Sequence, residues 1–125
     1  MAVSNVLKTK SVRERVDERE WQARVELAAA YRLVAQHGWT NLVNNHISLR
    51  VPGAEDQFLI NPHGLLYEQI TASSLVRIDV DGNILDETSY KVNQAGFVIH
   101  SAIHMARKDL HCVLHTHTVP GQAGS

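Results

Sequence analysis

The sequence predicts an α/β domain, and three observations carry that expectation. Apolar residues recur with a helical period from Trp21 to His37 and again from Asn93 to Arg107. Between and after these stretches lie short strand-like segments, separated by the turn pairs Pro52-Gly53, Asn61-Pro62 and Asp81-Gly82. Helices interspersed with short strands indicate a sheet covered by helices.

Bulk properties narrow the class. A chain of 125 residues fits one domain, and 44% hydrophobic with 20% charged residues is ordinary soluble globular composition. A formal net charge of -1 gives no electrostatic case for nucleic acid or for an anionic membrane surface. No apolar run approaches the ~20 residues that cross a bilayer, and the amino end has no apolar signal core. The single cysteine, Cys112, excludes an internal disulfide and agrees with a reducing compartment, so a cytoplasmic location is expected.

Residues Met1 to Glu20 mix charges densely with little apolar material and read as an arm leading into a helix. From Trp21 onward, Trp21, Val25, Ala28, Arg32 and Ala35 share one helical stripe, and Leu27, Tyr31 and Val34 share the adjoining one. Gly38 is the expected stop, because glycine accepts the left-handed backbone that closes a helix. His37, near that end, reads as a surface residue rather than a ligand.

Leu42 to Val51 reads as a strand in which Ile47 and Leu49 are offset from Ser48 and Arg50. The cluster Asn41, Asn44, Asn45 and His46 at its start is explained by turn chemistry, since asparagine tolerates left-handed backbone and bonds its own main chain. Gln57 to Ile60 is a second short strand, and Leu65 to Tyr67 an apolar segment. Leu75 to Val80 alternates with Arg77 and Asp79. With Asp81-Gly82 and Asn83 to Leu85 behind it, this predicts a β-hairpin.

Asn93 is available to cap the second helix, whose Ile99, Ile103 and Ala106 form one stripe. His100 and His104, four apart, have a chelating spacing. The structural reading is preferred, because no acidic residue lies between or beside them to act as third ligand or base.

The end of the chain carries the most chemistry. Val113 and Leu114 flank Cys112 in a β-prone segment that ends in His115-Thr116-His117. A strand sends residues i and i+2 to one face, about 7 Å apart, so the two imidazoles can address one spot. Imidazole suits zinc, copper, iron or nickel. A polar strand end facing solvent is the alternative, and Cys112 reads as a small core residue. The resulting division is a charged arm over 1–20, a domain over 21–118 and a tail over 119–125.

Three stretches taken together carry a family likeness: Leu27 to Trp39 (LAAAYRLVAQHGW), Phe58 to Gly64 (FLINPHG), and Val92 to His104 (VNQAGFVIHSAIH) running into Val113 to Thr118 (VLHTHT). In order and spacing they resemble the class II aldolase/adducin family, which includes sugar-phosphate aldolases, epimerases and the head domains of the cytoskeletal adducins. The resemblance covers Trp21 to Thr118. It implies a three-layer α/β/α sandwich around a mostly antiparallel sheet, with this chain breaking off after the His-x-His strand.

By the same resemblance, His115 and His117 are two ligands of Zn2+ or another divalent transition metal, with a third histidine further along the family domain. The ion acts there as a Lewis acid while a carbon-carbon bond beside a carbonyl is broken or remade. Asn45, His46 and Gly64 match positions that hold substrate phosphate, although the enzymes usually carry Gly-Asn where this chain has Asn45-His46. The implied ligand is a small hydroxy-carbonyl compound or sugar phosphate, with no nucleic acid and no membrane partner. Where the enzymes carry Ser-Ser-Glu, this chain has Gln94-Ala95-Gly96, and a glycine cannot relay a proton. That wording resembles the adducin-like branch. Ordinary aldol cleavage is therefore expected to be absent or very slow, the alternative is a non-catalytic interaction scaffold of the cytoskeletal, actin-binding type, and homo-oligomers are expected.

Overall fold

The structure is a computed structural model that describes residues 10–40 and 45–116. A short helix α1 (Val12–Arg15) precedes the long helix α2 (Glu18–Gln36). Helix α2 starts three residues before Trp21 because Asp17 caps it: its Oδ1 accepts the Glu20 amide at 2.7 Å. It stops as the sequence predicts, with Gly38 at φ 69°.

Four short strands follow, β1 (Ile47–Arg50), β2 (Gln57–Ile60), β3 (Val76–Asp79) and β4 (Cys112–Leu114), with a 3-10 turn at Tyr67–Gln69 and helix α3 (Gln94–Ala106) between them. The sheet order is β3-β2-β1-β4, and every neighbouring pair is antiparallel. An α/β architecture around an antiparallel sheet is thus what the chain adopts. Strand β1 is shorter than the predicted Leu42–Val51, and positions 41–44 lie outside the described residues. The Leu65–Tyr67 segment leads into the 3-10 turn instead of a strand.

The predicted hairpin at Asp81-Gly82 forms, with Gly82 at φ 88°: its return arm pairs Ile84 with Ile78, the Asp79 amide donates to the Asn83 carbonyl at 3.1 Å and the Leu85 amide to the Arg77 carbonyl at 2.9 Å. The Asp79 carboxylate takes up the turn's donors, accepting from the amides of Asp81 and Asn83 at 2.9 Å each and from Asn83 Nδ2 at 3.0 Å. These bonds, the Asn83 side chain first, hold its pKa below the ordinary value.

The strands alternate faces with period two, so each has two audiences. Ile47 and Leu59 join Leu27, Tyr31, Val34, Tyr67 and Ile70 in one apolar cluster beneath α2. Phe58, Ile60, Val76 and Ile78 form a second cluster on the opposite face, against Phe97 of α3. Of the two stripes read on α2, Leu27, Tyr31 and Val34 are the buried one, and Val25 is 40% exposed.

An ion-pair network ties α2 to β3. Arg24, fully buried, donates through Nε to Glu20 Oε1 at 3.0 Å and through Nη2 to Asp86 Oδ2 at 3.0 Å. Arg77 Nη1 reaches Glu20 Oε2 at 2.9 Å, and the Arg77 amide donates to Asp86 Oδ2 at 2.7 Å. Glu20, read as part of the charged arm, is therefore a buried member of this network. Among the described residues, no helix is long and apolar enough to cross a membrane.

Helix α3 turns its histidine face, and not its Ile99 stripe, toward the sheet. Ile99 is 58% exposed, whereas His100, Ser101 and His104 face the sheet. The reason lies in β1, where the residues offset from Ile47 and Leu49 are Ser48 and Arg50, both buried and both polar. Buried hydroxyl and guanidinium groups need partners, and the histidine face of α3 supplies them while its isoleucines cannot. Cys112 is likewise exposed and not a core residue, because β4 is an edge strand paired with β1 alone among the described strands.

Candidate metal centre

Register brings the site together. Strands β1 and β4 pair Ile47 with Leu114, so one step beyond them His46 and His115 stand opposite each other. The His46 amide donates to His115 Nε2 at 3.1 Å. Helix α3 crosses this end of the sheet and lays His100 between them. Ring centroids are 5.9 Å apart for His46 and His100, 5.7 Å for His46 and His115, and 5.8 Å for His100 and His115. One ring nitrogen from each of the three lies within 4.8 Å of the others.

Each wall of the site has a cause in the sequence. The start of β1 is fixed by Tyr31, whose buried hydroxyl hydrogen-bonds the Ile47 carbonyl and accepts the amides of Ile47 at 3.0 Å and Asn61 at 3.2 Å. Tyr31 thereby anchors to one point of α2 both the Asn45-His46 segment and the turn that runs from Asn61 to Gly64. Burial raises the Tyr31 pKa well above its ordinary value, so it serves as a neutral hydroxyl.

Beneath the cluster runs a polar layer. Ser48 Oγ lies 2.6 Å from His100 Nδ1 and 2.8 Å from His104 Nε2. Arg50 Nη2 donates to the His104 carbonyl at 2.9 Å. Burial lowers the His100 pKa to about 3, helped by the nearby His46, His115 and His104 rings. Burial, then the Arg50 charge, lowers that of His104 to about 4. Both rings are neutral at physiological pH, the state in which imidazole binds metals.

Among the sequence-predicted site residues, His115 joins the cluster, while His117 lies outside the described residues. His46, expected at a phosphate site, stands with the histidines. Asn45 is buried beside it and donates through Nδ2 to the Trp39 carbonyl at 3.3 Å. Gly64 sits in the turn after β2 at φ 96°, outside the histidine group. His104 has the structural role expected of it, packed on Phe58 with ring centroids 4.8 Å apart. His100 was missed. The signal that pointed to it was Ser48 and Arg50 on one strand face, which demanded a polar partner. The donor set fits a divalent ion: three imidazoles converge, and the buried His100 Nε2 has no hydrogen-bond partner among the described residues.

Residues 25–125 match the family described as "Class II Aldolase and Adducin N-terminal domain". The chain belongs to the class II aldolase and adducin family.

Within it, relatives of two kinds are close. The crystal structure of an aldolase II superfamily protein from Pseudomonas syringae is 57% identical with a TM-score of 0.87, covering 91% of this chain and 46% of that one. An L-fuculose 1-phosphate aldolase from Glaciozyma antarctica is 36% identical with a TM-score of 0.78, over 85% of this chain and 43% of that one. Alpha-adducin of Rattus norvegicus is 50% identical over 111 residues, 87% of this chain and 15% of that protein. This aldolase/adducin domain spans about half the length of the curated relatives it matches first, 46% and 44% of them.

Proposed function

We propose that this chain is the amino-terminal portion, with residues 21–118 as its domain, of a metal-binding relative of the sugar-phosphate aldolases and epimerases, acting on small hydroxy-carbonyl compounds in the cytoplasm. The observation that carries this reading is the convergence of His46, His100 and His115 in a chain of this family. By resemblance, His115 and His117 hold the ion, zinc or a similar divalent metal. When bound, it supplies Lewis acidity to a carbonyl oxygen.

The chain's own groups provide placement more than proton transfer. Neutral His100 and His104 keep cationic charge out of the site, and Tyr31 holds the Asn45-His46 segment and the turn leading to Gly64 at one end of the sheet, where a substrate phosphate is proposed to bind. Among the described residues no carboxylate belongs to the histidine group, and by resemblance Gly96 stands where the enzymes carry glutamate. Aldol cleavage by this chain is therefore slow or absent.

Calorimetric titration with zinc tests the reading. Tight one-to-one binding that disappears in His115→Ala and His117→Ala supports it; millimolar or absent binding leaves the second reading, a non-catalytic adducin-like scaffold for protein contacts or oligomerisation. What favours that second reading is the 50% identity to alpha-adducin together with the exposed Val98, Ile99 and Met105 on α3.

A further inference from the structure

Arg50 is the last residue of β1, on the same side of the strand as Ser48, and it is buried. A buried guanidinium is ordinarily paired with a carboxylate, as Arg24 is with Glu20 and Asp86 in this chain. Arg50 forms no ion pair among the described residues. Its donors go to main-chain carbonyls: Nε to Leu110 at 3.2 Å, Nη1 to Glu55, and Nη2 to His104 at 2.9 Å and Arg107 at 3.3 Å. Asp109, on the same stretch of chain, is exposed and accepts from Arg107 at 2.9 and 2.7 Å.

The placement of those carbonyls explains how a lone cation is tolerated. His104 and Arg107 stand at the carboxyl end of α3, where carbonyls lack helical partners and the helix dipole favours positive charge. No glycine closes this helix, and its last turn is held from outside, by β1. Leu110 lies in the connection from α3 to β4, and the Arg50 amide donates to the His111 carbonyl at 2.6 Å just before β4 begins. Residues 104–111 are thus wrapped around one residue of β1, and Glu55 adds the turn between β1 and β2. The connection has no regular structure of its own between Ala106 and Cys112, so the spacing of α3 and β4 depends on what its backbone binds. These two elements carry His100 and lead to His115, which meet His46 at the opposite end of β1.

We propose that Arg50 is a positioning residue for the histidine centre: its guanidinium fills a cage of main-chain carbonyls and so sets how α3 and β4 stand against β1. Its one imidazole contact is with His104, 3.2 Å from Nδ1 and outside the three rings that converge. This rests on the metal-binding reading above and adds to it a residue at the far end of the strand. Lysine replaces it only in part, because an ammonium lacks the planar fork that reaches several carbonyls at once.

The test uses the full 125-residue chain, with zinc affinity read by calorimetry and the Co2+ complex by visible absorption. Arg50→Ala is expected to weaken zinc binding roughly tenfold or more, the scale of an outer contact to a metal site, and to alter the Co2+ spectrum. Millimolar ethylguanidinium, the fragment which that substitution removes, is expected to restore both and to change nothing in the unaltered chain or in His115→Ala. Arg50→Lys keeps a cation there, is expected to weaken binding by less, and carries the comparison should alanine prevent folding. Asp17→Ala, which lowers stability at the start of α2, is expected to keep the unaltered affinity. In the metal-free chain, Arg50→Ala should also speed hydrogen exchange of the β4 amides, and ethylguanidinium should slow it again. Wild-type zinc affinity in folded Arg50→Ala and Arg50→Lys overturns the positioning role and leaves the metal reading standing, as does a loss that ethylguanidinium does not restore. Exchange that responds as expected in a chain that binds no zinc overturns the metal reading, and with it the centre that Arg50 serves.

Discussion

His100 and His104 stand one helical turn apart, and each meets the same Ser48 hydroxyl from a different nitrogen. Their burial makes the folded metal-free chain sensitive to acid. In the unfolded chain both rings titrate near 6.5, whereas folding lowers them to about 3 and about 4. Above pH 6.5 both states are neutral and these rings add no pH dependence. As pH falls below that, the unfolded state takes up protons that the folded state refuses, so stability drops by up to about 1.4 kcal/mol per ring per pH unit until the folded values are reached. Unfolding free energies from urea titrations in chelator should therefore fall between pH 7.5 and pH 5, by on the order of 2 kcal/mol for each ring. A flat profile over that interval contradicts the buried, neutral assignment. Nothing in the local pattern signals these two rings' surroundings. A period-3.6 pattern reports which residues share a face, but not which face meets the sheet when both are plausible. Here Ser48 and Arg50 decided the matter, and they are 52 and 54 residues away from their histidine partners.

At the scale of elements, local chemistry was the legible part. Strand β2 occupies the residues its β-prone run marked, Asn93 caps α3 by accepting the Ala95 amide at 3.0 Å, and Gly38 closes α2. What local pattern does not encode is long-range pairing. The return arm after Gly82 pairs with β3 as far as Leu85, and beyond it Asp86 is drawn to Arg24 and Arg77. Glu20 looks like part of a solvated charge run until Arg24 and Arg77 are seen to hold it. This network makes a specific claim about α2. Truncating Arg24 to alanine leaves the Glu20 and Asp86 carboxylates buried without their main partner, and the expected loss is about 3–5 kcal/mol in urea unfolding. Asp17→Ala, which removes only the cap, should cost about 1 kcal/mol. Equal effects of the two variants contradict the picture of a buried ion-pair anchor.

For the molecule as a whole, the sheet presents β4 as an edge strand among the described residues, and Leu114 on it is 51% exposed. Val98, Ile99 and Met105 on α3 are each more than half exposed, at 52%, 58% and 53%. Apolar surface beside an open strand edge favours association. Sedimentation velocity on this chain is expected to show dimers or larger species at micromolar concentration, shifted toward monomer by Ile99→Lys. A clean monomer that unfolds cooperatively counts against it. The three-layer arrangement and the family were both readable from the order of the motifs. The gathering of His46 with His115 was not, because it depends on the β1–β4 register across 69 residues. One clue was present all the same: a glycine inside a helix marks a close approach, and at Gly96 the approaching group is an imidazole.

X-ray absorption at the zinc edge of the zinc-loaded chain tests the central claim most directly, since it counts the imidazoles around the ion. At least two nitrogen-coordinated rings are expected, with one lost in His115→Ala. A shell of oxygen donors with at most one imidazole, unchanged by that substitution, would mean that the histidines at the end of the sheet do not form a metal centre together.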